Sequence, residues 1–141
     1  MKRNGKQQTE FNMKDHQATI ISTKNAPSPT GPYVQALSDA GLIFVSGQLP
    51  IKSDGTGLRN EDFATQVKQA LDNVFAIVRA GGSAPDRIVK VTAFIVGLEH
   101  SPQFNAAYAE AFGGQRPTRS MVTVPALPNN YLVEIEAIAL Q

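Results

Sequence analysis

The chain has no cysteine, no tryptophan and only two histidines. Without cysteine there can be no disulfide, no thiolate metal site and no cysteine nucleophile, and the composition suits a reducing compartment. His16 lies in a polar leader and His100 in a loop before a predicted helix. Neither has a carboxylate or thiolate at ligand spacing, so no metal site is expected. A Ser-His-Asp triad is excluded because there is no GxSxG elbow and no suitably placed histidine. The dinucleotide fingerprint is also missing. The glycine-rich loop Lys52–Leu58 has no lysine-serine/threonine ending, so it is not a phosphate loop. No apolar run approaches the length of a membrane span, and the N-terminus lacks the hydrophobic core of a signal peptide. The expectation is a cytoplasmic protein that needs no membrane.

An excess of one charge is missing too. The formal net charge is +1, with a net of +2 in residues 1–17 and about −1 in the rest. No basic patch stands out, so nucleic acid is disfavoured as a partner. A chain of 141 residues fits one domain, and a chain of that size buries about two-thirds of its unfolded surface. Residues 1–17 are expected to be a disordered polar leader, native or added, with Met13 as an internal start or the end of an added extension. The single folded domain is expected to cover 18–141.

Within that domain ATIIST reads as a strand and KNAPSPTGPYVQAL as a proline-fixed loop ending near Tyr33. Asp39-Ala40-Gly41 predicts a hairpin turn between VQALS and LIFVSGQ. Gly47, inside a strand pattern, marks a bulge or a close backbone approach. Asn60–Ala80 reads as a helix capped by Asn60 and ended by Gly81-Gly82, with Phe63, Val67, Ala70, Leu71, Val74 and Val78 as its apolar stripe. Arg87–Val96 is a strand. A second helix opens at Ser101-Pro102, buries Phe104, Ala107, Tyr108 and Ala111, and ends at Gly113-Gly114. Ser120–Val124 and Leu132–Ala139 are strands flanking the turn PALPNN, and the prediction is a hairpin.

The resulting order is β-β-β-α-β-α-β-β, an α+β fold. Two helices can cover only one face of such a sheet, yet several strands are apolar on both faces. A symmetric oligomer is therefore expected to bury the second face.

Chemistry concentrates near the C-terminus. Arg119 can grip a carboxylate through two parallel hydrogen bonds, and Glu134, placed within its reach by the predicted hairpin, can orient or deprotonate water. Tyr33, Gly47 and Asn105 are the further candidates. The bland alternative is a solvated surface ion pair, worth roughly 0–1 kcal/mol.

The stretches NAPSPTGPYVQA, FVSGQLP, QALDNVFAIVRAGG and RPTRSMVTVPALPNNYLVEIEAIAL occur in order between Ile20 and Leu140. They resemble the Rid/YjgF family, also called L-PSP or translation-inhibitor proteins. The resemblance implies a chorismate-mutase-like fold, one mixed sheet with two helices on one face, assembled as a homotrimer with sites between subunits. It implies hydrolysis of small 2-iminoacids and enamines to 2-ketoacids and ammonia with no cofactor and no metal. On this resemblance Arg119 holds the substrate carboxylate and Glu134 serves the catalytic water. Tyr33 closes the pocket, Ser46 and Gly47 form its wall, and Asn105 lines the same cleft. Met121 stands where many active members carry cysteine, which puts the substrate range in question, and Glu136 is taken as structural. Two other functions remain in view, a non-catalytic trimer binding carboxylates or protein, and an RNA-directed endoribonuclease or translation inhibitor.

Overall fold

Phe63, Val67, Ala70, Leu71, Val74 and Val78 repeat at helical spacing, and helix α1 (Phe63–Ala80) buries all six. The computed structural model describes residues 10–13 and 16–141. Helix α1 opens later than expected. The amide of Glu61 bonds the Leu58 carbonyl at 3.0 Å, closing a separate turn around Asn60. Asp62 is the cap instead, its carboxylate accepting from the Thr65 amide at 2.7 Å. The helix ends at Gly81 as expected.

The strands are β1 (Glu10–Met13), β2 (His16–Ile21), β3 (Ala36–Asp39), β4 (Leu42–Gln48), β5 (Ile88–Ile95), β6 (Thr118–Thr123) and β7 (Val133–Leu140). They form one seven-stranded sheet in the order β1-β2-β3-β4-β7-β5-β6. Only β5 and β6 run parallel, joined through helix α2 (Ser101–Phe112), so the sheet is mixed. From β2 onward the element order is the predicted one. Ala40 and Gly41, at φ 50° and 77°, make the two-residue turn between β3 and β4 whose twist suits a hairpin. Proline opens α2 as predicted, but Ser101 is its first residue rather than a cap, and its hydroxyl turns back to the Leu98 carbonyl.

Two expectations need correction. Residues 1–9, 14 and 15 of the predicted leader lie outside the described residues. Within the leader, Glu10–Met13 is strand β1, paired antiparallel with β2, where an irregular segment was expected. The free edge of β2 supplies unpaired backbone groups for it to bond. The second correction concerns β6 and β7, which do not form a hairpin, because β5 lies between them. The cause is burial. Val133, Ile135, Ala137 and Ala139 of β7 are almost fully buried and take a central place, whereas β6 is largely exposed and takes the edge.

The core lies between the sheet and its two helices, where Ile43, Val45, Val91, Ala93, Ile95 and the four β7 residues meet α1. The opposite face has no covering layer among the described residues. Phe44 and Val122 there are 43% and 42% exposed.

Candidate functional site

The walls of the first cleft begin with the proline loop. A loop fixed by prolines has few internal hydrogen bonds, and Gln35, buried to 3% exposure, supplies them. Its Oε1 accepts from the Thr23 amide at 2.7 Å. Its Nε2 donates to the carbonyls of Thr23, Ala26 and Pro27 at 3.1, 3.3 and 2.9 Å. The loop is thereby pinned to β3, with Tyr33 at its end half exposed. Ser46 Oγ donates to the Val34 carbonyl at 2.6 Å and the Ser46 amide to that of Gln35 at 2.9 Å, tying β4 to the same loop.

Between Val45 and Gln48 the register of β4 against β7 shifts, so Ser46 and Gly47 together oppose Glu136. This is the predicted bulge. Gly47 also makes the predicted close approach, since a Cβ there would collide with Glu134 Oε1. Glu134 packs against bare backbone and shares a cleft of about 350 Å³ with Tyr33, Ser46, Gly47, Thr30, Leu49, Ile51, Pro128 and Asn129. Burial pushes the Glu134 carboxyl above the usual glutamate range, and the neighbouring Glu136 charge adds to the rise.

Helix α1 fixes the far wall. Asn73, 1% exposed, donates to the Leu49 and Ile51 carbonyls at 3.1 and 2.8 Å. Fully buried Gln66 accepts from the Leu132 amide at 3.0 Å and donates to the Arg59 and Glu61 carbonyls. The cleft is thus held by buried carboxamides reaching across long stretches of chain.

Arg119 is elsewhere. It pairs with Val91 and through it with Ala137, on the helix-covered face. Glu134 pairs with Phe94 and through it with Val122, on the open face. The predicted reach between Arg119 and Glu134 within one chain is therefore not found. Strand side chains alternate faces, and β5 separates the two strands. The Arg119 guanidinium lies over the rings of Tyr108 and Phe104, 4.9 and 5.4 Å from their centroids, and forms no ion pair among the described residues. Asn105 follows Phe104 on α2 and is exposed. Met121 shares the face of Arg119, its register partner being buried Ala93, and packs half-buried against the core. A methionine fits there because an unbranched thioether fills an irregular gap.

The seven predicted site residues fall into two groups. Tyr33, Ser46, Gly47 and Glu134 line one cleft, while Arg119 and Met121 lie on the edge strand β6 and Asn105 lies on α2 next to Phe104, one of the rings under Arg119. A larger groove of about 510 Å³ between α1 and α2 involves none of them. Its charged rim is exposed, and Lys68 pairs with Asp72 in a surface i,i+4 bridge at 2.6 Å. Sequence reasoning missed Thr30 and Asn129 in the cleft, and the aromatic support of Arg119. The signal for Asn129 was its turn context, PNN, since Asn129 and Asn130 take φ of 56° and 62°.

The pattern of the family described as endoribonuclease L-PSP matches residues 23–141. The chain is 44% identical over 125 residues to the 2-iminobutanoate/2-iminopropanoate deaminase of Escherichia coli, covering 86% of this chain and 96% of that one. A crystal structure from Yersinia pestis, described as YyfA of the conserved Rid protein family and of unknown function, superposes with a TM-score of 0.84 at 45% identity, covering 88% and 99% of the two chains. The structure of Escherichia coli TdcF with bound serine superposes with a TM-score of 0.82 at 37% identity, covering 87% and 98%.

Proposed function

We propose, on the premise that the chain belongs to the endoribonuclease L-PSP family, which includes the Rid and YjgF proteins, that it hydrolyses small 2-iminoacids and their enamine tautomers to 2-ketoacids and ammonia. The observation that carries this is Arg119, a guanidinium steadied on two rings with no acid partner among the described residues to neutralise it. Such a group is free to bind a planar carboxylate through two N–H donors. The similarity to an enzyme named for this reaction, and to a protein holding serine, a small amino acid, supports the same substrate class.

One copy does not offer Arg119 and Glu134 to the same small molecule, because they stand on opposite faces of its sheet. The open apolar face around Phe44 and Val122 also calls for a covering layer. A homotrimer meets both needs. The Arg119 group of one protomer closes over the Tyr33, Ser46, Gly47 and Glu134 cleft of the next. Asn105 and Met121 arrive with Arg119 and complete the wall.

In that shared site Arg119 anchors the carboxylate and leaves the C=N carbon facing Glu134. A protonated imine is already electrophilic, so orientation covers much of the barrier. Glu134 accepts a proton as water adds: the new O–C bond forms and the C=N π electrons move to nitrogen. The proton passes to the amine of the resulting carbinolamine. The C–N bond then breaks and ammonia leaves, while Glu134, again a carboxylate, takes the hydroxyl proton as the C=O of the ketoacid forms. A carboxyl raised above its usual range suits both steps, because it holds and returns a proton more readily near neutral pH. No step needs a cofactor, and a cytoplasmic setting fits the chain.

A second function, a trimer that binds carboxylates without turning them over, is favoured by the serine held in TdcF. Imine generated in situ by an amino-acid oxidase separates the two: ketoacid release accelerated by the chain supports deamination, and binding without acceleration supports the alternative. Arg119→Ala should abolish both effects while the assembly persists. Ordinary turnover in that variant would refute the assignment. RNA cleavage surviving both Arg119→Ala and nuclease-free repurification would point instead to the activity in the family's name.

A further inference from the structure

We propose that Tyr108 and Phe104 are positioning residues for Arg119, their rings forming a shelf on α2 that holds the guanidinium at the edge of the sheet in the pose that receives a carboxylate. This rests on Arg119 being the carboxylate holder.

The shelf follows from helical spacing. Phe104 and Tyr108 are four residues apart on α2, so their rings meet on one face of the helix, tilted by 35° with 5.5 Å between centroids. Tyr108 continues onto Phe112 at 4.5 Å, and Phe112 meets Phe75 of α1 edge-on at 5.2 Å. Phe104 is 0% and Tyr108 8% exposed. The shelf is thus built into the core, whereas Arg119 itself is exposed. A cation over ring faces is held by the ring quadrupole, and the attraction grows where water is excluded from one side.

The geometry suits a ligand better than it suits the fold alone. A ring face holds a guanidinium by its charge and takes no hydrogen bond from its N–H groups in the plane, so those groups stay available for the bidentate contact to a carboxylate. An acid partner would fix the arginine equally well but would occupy them. Fixing it beforehand also removes part of the ordering cost that a long side chain otherwise meets on binding.

The Tyr108 hydroxyl is buried and has no hydrogen-bond partner among the described residues. It adds nothing to packing that phenylalanine would not, so the ring is the part that supports the guanidinium.

The test measures pyruvate binding by calorimetry, together with KM and kcat for the imine, in the intact chain. Tyr108→Leu should weaken pyruvate binding about tenfold and raise KM to match, the size expected for a partly desolvated cation–ring contact. Its kcat should fall far less. Tyr108→Phe should restore binding and melt no lower than the wild type. If Tyr108→Leu fails to fold, Phe104→Leu, which removes the other ring with a smaller loss of volume, takes its place with the same expected result. Wild-type pyruvate affinity in the folded leucine variant overturns the shelf, as does loss of binding in Tyr108→Phe equal to that in Tyr108→Leu. Arg119→Ala is the control. If it binds pyruvate normally, the carboxylate role and the shelf both fail. If it loses binding while Tyr108→Leu keeps it, only the shelf fails.

Discussion

Arg119 and Glu134 stand on opposite faces of one sheet, on strands β6 and β7, with β5 between them. Any chemistry that uses both must join two copies of the chain.

That separation gives a complementation test. Arg119→Ala and Glu134→Gln should each be inactive alone. Dissociated together in equal amounts and reassembled, they should recover about a quarter of wild-type turnover, since random mixing in a closed ring leaves that share of shared sites with both residues intact. A mixture as inactive as its parents would show that the two residues do not serve one site.

Gly47 should tolerate alanine for folding but not for activity. Its backbone does not need a positive φ, and the atom in the way is the far end of the flexible Glu134 side chain. The carboxylate swings aside, so Gly47→Ala should melt close to wild type. Loss of a preorganised charged group should cost it at least about a hundredfold in kcat. Unchanged kcat would mean that the Glu134 pose does not matter.

The pH dependence of stability should carry the mark of Glu134. Its folded pKa lies above the 4.5 of an ordinary glutamate, chiefly through burial and then through Glu136. Between that value and the raised one the folded chain binds more protons than the unfolded chain. Stability is therefore lost as pH rises through this window, and is fully present below it. Glu134→Gln should not show that loss, so its advantage over wild type should grow from acid toward neutral pH. Urea unfolding at fixed protomer concentration measures it, and parallel pH profiles for the two chains would rule the effect out.

Gln35 should couple stability to the cleft. Gln35→Leu leaves the Thr23 amide and the carbonyls of Thr23, Ala26 and Pro27 without this partner. The expected cost is about 1–3 kcal/mol. The proline loop carrying Thr30 and Tyr33 should loosen, seen as faster amide exchange confined to residues 23–33 and a raised KM for the imine. A destabilised variant with unchanged loop exchange would assign Gln35 to the core alone.

Much of this protein was legible in its residues, because local rules are enough to set local structure. The α1 stripe, the Ala40-Gly41 turn, the glycine stops of both helices and the alternation along β7 depend on neighbours a few positions away, and all four appear as expected. The Gly47 bulge was readable for the same reason. Sequence chemistry also singled out Arg119 and Glu134, an arginine able to grip a carboxylate and an acid able to move a proton, on two neighbouring strand-like stretches of a cysteine-free, histidine-poor chain. Strand partnership was not legible. Periodicity reports which residues share a face of one strand, and nothing in it says that β5 comes between β6 and β7. That placement follows from which strands are apolar enough for the centre, a competition among distant segments. It parted Arg119 from Glu134, set the arginine on the rings of α2, and left one face of the sheet exposed.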